Sequence, residues 1–151
     1  MEFTKDNILL NVNVKDKLEL FRYIAQYAGK KNIIDNESAL VAAFLEREEE
    51  VSTGLQDSFA IPHAKSDFIK VPTVLFLKLK EPIEWETFDE KPVSNVFVLL
   101  VPSKNRGILH LEMISKIATS LLEEEFITSV KNSSDKDELE KQIKKAMEGA
   151  Y

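Results

Sequence analysis

A chain of 151 residues is near the usual size of one domain, and we read 1–151 as a single unit able to bury about two thirds of its unfolded surface. Hydrophobic residues make up 44% and charged residues 30%, and four Gly and five Pro are too few for a flexible linker or a disordered tail. The net charge of -6 and scattered lysines argue against nucleic acid and for a basic protein partner, while the lack of cysteine excludes disulfides and thiolate chemistry and fits a reducing compartment.

The opening "MEFTKDNILL" has neither the basic start nor the apolar stretch of a secretory signal. Along 16–29, Leu18, Leu20, Phe21, Ile24, Ala25, Tyr27 and Ala28 recur at helical spacing, with Gly29 suited to a stop. Asp35 or Asn36 can cap a second helix, which carries Leu40, Val41, Ala43, Phe44 and Leu45 on its apolar face and ends near Glu50. Then come "FAIPH", "PTVLFLKLK", "PIEW" and "SNVFVLLVP", rich in Val, Ile, Leu and Phe and bounded by turn residues, which predict strands. The run "VFVLLV", 96–101, does not alternate, so it belongs at a sheet centre covered on both faces. It is also far shorter than the ~20 residues of a membrane span, so no membrane insertion is expected and the cytoplasm is the expected location.

Downstream, "GILHLEMISKIATSLLEEE" reads as one helix with Leu111, Ile114, Ile117, Ala118, Leu121 and Leu122 on its apolar face. "FITSVKN" reads as a short helix and "NSSD" as a loop in which Ser134 or Asp135 caps a final helix, "KDELEKQIKKAMEG". The order helix, helix, strands, helix, helix predicts an α/β three-layer sandwich, a mixed central sheet with helices on both faces.

Chemistry concentrates around "AIPHAKS". Pro62 fixes its own φ and biases Ile61 toward extended backbone, so His63 is mounted stiffly at a strand end. A neutral imidazole has an available lone pair and needs no separate base, which suits it to carrying a phosphoryl group reversibly. Arg47 ends the stripe Leu40, Ala43, Phe44, so its stem packs inward while its guanidinium emerges at the domain edge as a fork for phosphate. His110 extends the stripe Ile114, Ile117, Leu121 to a helix start, where anions are favoured. On spacing alone, three alternatives stay open: a surface histidine beside an incidental proline, an arginine paired with Glu46 or Glu50, and a core histidine. The chain has no glycine-rich phosphate loop, no Gly-x-Ser-x-Gly elbow and no His-Glu-x-x-His helix. The distant histidines offer no local zinc geometry, so no metal site is expected.

In order and spacing, "REEEVSTGL", "AIPHAKS", "LKEPIEW", "VFVLLVP" and "HLEMISKIA" resemble the enzyme IIA component of the fructose- and mannitol-type branch of the bacterial sugar phosphotransferase system. The resemblance spans nearly the whole chain. It implies that His63 receives a phosphoryl group from the carrier HPr and passes it to a cysteine of a IIB component, with no cofactor. It further implies that Arg47 supports the group and that His110 lies close by, and Thr53 is a candidate for an added hydroxyl contact. Where relatives carry a glycine-rich "GIGNGI"-like segment, this chain reads "GLQDSF", with Gln56 and Ser58 at commonly glycine positions. A second possibility is a regulatory module of the nitrogen-regulatory type, phosphorylated at the same histidine but controlling a transcription factor or transporter.

Overall fold

The computed structural model describes residues 3–104 and 108–149; the side chains of 108–111, 113 and 114 lie outside that description. After a short 3-10 turn, Lys5–Asn7, come β1 (Ile8–Val12), α1 (Lys17–Lys30), α2 (Glu37–Glu50), β2 (Phe59–Ala60) and β3 (His63–Ser66). The second half holds β4 (Thr73–Ile83), β5 (Val93–Pro102), α3 (Ile108–Ser120), α4 (Glu124–Lys131) and α5 (Lys136–Met147). Among the described residues, no helix is long and apolar enough to cross a membrane.

The sheet is mixed, as expected, and runs β1-β4-β5-β2, with β3 also on β5. The β4–β5 pair is antiparallel, while β1 joins β4, and β2 and β3 join β5, in parallel. Because strand side chains alternate, β4 and β5 feed two separate cores. Leu75, Leu77, Val96, Val98 and Leu100 face α1 and α2 and pack with Phe21, Ile24, Leu40 and Phe44. Val74, Phe76, Phe97 and Leu99 face the other way, onto Ile117, Phe126, Val130, Leu139 and Ile143 of α3, α4 and α5. Phe97 centres that second layer, with ring centroids 4.7 Å from Phe76, 6.0 Å from Phe126 and 6.2 Å from Phe59. Burying each such ring contributes about 1.5–3 kcal/mol, which is why the apolar runs end as strands between two helical layers.

Side-chain caps fix where α1, α2 and α5 begin. Asp16 accepts from the Glu19 N–H, Asn36 from the Ala39 N–H, and Asp135 from the N–H groups of Asp137 and Glu138.

Several boundaries differ from the sequence reading. Strand β1 was not expected; it is a short edge strand whose register slips between Leu9 and Val12, around Asn11 at φ 55°. "PIEW" is no separate strand, because Pro82 and Ile83 finish β4 across a register irregularity. The helix expected to run through "LLEEE" stops at Ser120, and α4 starts at Glu124, so Leu122 is 78% exposed and no part of an apolar face. Leu45 is likewise 39% exposed, because the core side of α2 is formed by buried Leu40 and Phe44 with partly buried Val41 and Ala43. The first helix runs one residue past Gly29, with Lys31 at its C-cap.

Candidate active site

"FAIPH" forms two strand pieces, not one. Phe59 and Ala60 pair with Asn95 and Val96, and His63 opens a second piece opposite Leu99. Between them Pro62 has no N–H to give, and its carbonyl instead accepts from the Leu99 N–H at 3.1 Å. Ile61 turns out of the ladder and donates its N–H to the Thr53 carbonyl at 2.9 Å. His63 is therefore held from both sides along the chain, on the rim where α2 crosses the sheet edge.

Both ring nitrogens of His63 are engaged, and their partners decide the tautomer. Nδ1 lies 2.9 Å from the Ile61 carbonyl oxygen, which can only accept, so Nδ1 carries the proton. Nε2 then presents its lone pair, and the Arg47 Nε–H donates to it at 3.2 Å. The Arg47 Nη1 donates to the Val51 carbonyl at 2.8 Å, tying the guanidinium to the end of its own helix. Neither expected carboxylate partner, Glu46 nor Glu50, forms an ion pair with Arg47 among the described residues. Both nonetheless line the same open cleft of about 300 Å³ with Ala43, Arg47, His63, Ala64 and Lys65. The imidazole is half-buried, positioned firmly yet reachable from that cleft.

Thr53 is 3% exposed, and its hydroxyl donates to the Glu48 carboxylate. Its part is carried by the backbone, through the carbonyl that receives the Ile61 N–H. Residue 110 sits in the first turn of α3, but the His110 side chain lies outside the described residues.

The sequence reading passed over Glu48 and Trp85. Glu48 accepts from the Thr53 N–H at 2.9 Å and from the Trp85 indole N–H at 3.0 Å. Beside them Gly54 is packed so closely that a Cβ there would stand 2.3 Å from the Glu86 carbonyl oxygen. The signal was present in "RE", "STG" and "EPIEW", each ending within this cluster. Among the described residues, no group of three or more His, Asp and Glu is placed to hold a metal ion.

The fold is thus a mixed sheet between two helical layers, with the His63 imidazole at the sheet rim under an arginine of the neighbouring helix. The profile described as phosphoenolpyruvate-dependent sugar phosphotransferase system, EIIA 2, matches residues 1–146, and the chain belongs to that family. It is 37% identical over 108 residues to a fructose-specific EIIA component of Haloferax volcanii, covering 72% of this chain and 68% of that one. It is 34% identical over 118 residues to a fructose-specific EIIABC component of Mycoplasma pneumoniae, covering 78% of this chain but 17% of that much longer protein. Among solved structures it superposes on nitrogen regulatory protein IIA-Ntr of Neisseria meningitidis with a TM-score of 0.80 at 29% identity, covering 92% of this chain and 94% of that one.

Proposed function

We propose that residues 1–151 act as one cytoplasmic phosphoryl-carrying unit, in which His63 accepts a phosphoryl group from phospho-HPr and passes it to the cysteine of a IIB component. The observation that carries this reading is the division of labour on one ring, Nδ1–H on the Ile61 carbonyl and the Nε2 lone pair under Arg47. The lone pair of Nε2 attacks phosphorus, the donor's N–P bond breaks, and its electrons return to the donor ring. The His63 ring gains positive charge during attack, and the Ile61 carbonyl stabilises it by holding the Nδ1 proton. Arg47 gives up the lone pair as phosphorus arrives, and its guanidinium takes the phosphoryl oxygens instead. Alignment and charge supply most of the catalysis in such transfers, so no further nucleophile or base is required. His110 is proposed to donate a hydrogen bond to those oxygens or to the incoming ring.

The fructose-specific name of the Haloferax relative supports sugar transport as the setting. Incubation with enzyme I, HPr and phosphoenolpyruvate should add one acid-labile phosphoryl group to the wild type and none to His63→Ala. Uptake at the normal rate by His63→Ala would reject the assignment.

The likeness to the Neisseria regulatory protein supports a second reading, a phosphorylated module that controls another protein. Draining of the label by a IIB component favours transport; a label that no IIB component removes favours regulation.

A further inference from the structure

We propose that Glu48 is a positioning residue for His63, setting its tautomer through Thr53 and Ile61. The inference rests on the proposed role of His63. Glu48 sits next to Arg47 on α2 and, among the described residues, forms no ion pair. Instead three donors converge on it: the Thr53 N–H at 2.9 Å, the Thr53 hydroxyl, and the Trp85 indole N–H at 3.0 Å. The fixed Thr53 carbonyl then receives the Ile61 N–H at 2.9 Å. The Ile61 carbonyl receives the Nδ1 proton of His63 at 2.9 Å. Two consecutive residues of one helix thus address the same imidazole, Arg47 directly at Nε2 and Glu48 through the backbone of Thr53 and Ile61 at Nδ1. Movement of Thr53 would swing the Ile61 carbonyl off the ring, and the proton would no longer be confined to the nitrogen facing away from the cleft.

Gln in place of Glu48 cannot satisfy this set. With its amide nitrogen at the Oε2 position it confronts the Thr53 N–H; reversed, it confronts the Trp85 N–H. Neither of those donors can turn to accept. Glu48→Asp keeps the charge but is one methylene too short to reach both Thr53 and Trp85.

The test is ¹⁵N NMR of the imidazoles in the unphosphorylated full chain at alkaline pH, the His63 signals being those lost in His63→Ala. Alongside it, the rate of labelling by phospho-HPr is measured, with far-UV circular dichroism as the fold control. The wild type should show Nδ1 protonated and Nε2 bare. Glu48→Gln should show a mixture of tautomers and label about 10- to 100-fold more slowly. Glu48→Asp should move the same way by less, and it decides the matter if Glu48→Gln does not fold. Wild-type tautomer and rate in a folded Glu48 variant overturns the proposal. A wild type that takes no label sinks the carrier reading instead, and the tautomer comparison still decides the role of Glu48.

Discussion

Arg47 Nε stands 3.2 Å from His63 Nε2, on the lone pair that the Ile61 carbonyl leaves bare by holding the proton at Nδ1. The guanidinium thus already occupies the space a phosphoryl group must enter. Arg47→Ala should slow labelling by phospho-HPr about 10²- to 10³-fold, the loss typical of removing a donor aimed at developing charge. Arg47→Lys should recover part of the rate, because it restores charge without the fork. The far-UV spectrum should be unchanged in both; a full wild-type rate in Arg47→Ala would exclude the arginine from transfer.

Ser58 has φ of 72°, in the left-handed region, and is held there by the N–H groups of Ser94 and Asn95 on its carbonyl at 2.9 and 3.0 Å. Ser58→Gly should stabilise the chain by about 0.5–1 kcal/mol, as relief of strain outweighs the extra freedom of glycine when unfolded. That raises Tm by roughly 1–4 °C for a domain of this size. Thermal unfolding of the two forms checks this, and a lower Tm for the variant contradicts it.

Gly54 is a position where backbone packing permits no side chain, since a Cβ would meet the Glu86 carbonyl oxygen at 2.3 Å and Trp85 Cδ1 at 2.8 Å. Gly54→Ala should cost about 1–3 kcal/mol, as overpacking does when rigid backbone must move. Urea unfolding would show the midpoint falling, and because Trp85 shifts with it, its fluorescence should change in the folded state.

Asp89 is held below its ordinary range, first by the Asp57 N–H that donates to it at 3.1 Å. A carboxyl with a depressed folded pKa stabilises above its unfolded value, and that stabilisation is lost as pH falls through the folded value. Wild type should therefore exceed Asp89→Asn in stability at pH 7, with the gap closing as the solution is acidified below the normal carboxylate range. Urea midpoints across that range test the sign: a gap that widens toward acid is incompatible with it.

Reading the chain found what local stiffness and periodicity dictate. Pro62 before His63, and the stripe ending at Arg47, marked each side chain as a candidate but left other readings open; the five ordered blocks named the family and implied that the two act together. Edge pairing was not legible. Strand β1 shows no alternation, and left-handed Asn11 breaks its register, so only the partner β4 makes it a strand. The stop between α3 and α4 was missed because "SLLEEE" carries no helix breaker. Thr53 was chosen for its hydroxyl, yet its use depends on Glu48, five residues earlier, and Trp85, far along the chain, meeting in space.

The most direct test of the central claim is the site of the phosphoryl bond, read by ³¹P and ¹⁵N NMR on the wild type phosphorylated through HPr. A single phosphohistidine at His63, bonded through Nε2 with Nδ1 still protonated, is the result the structure predicts. Phosphorus on Nδ1, or on any residue other than His63, would contradict it.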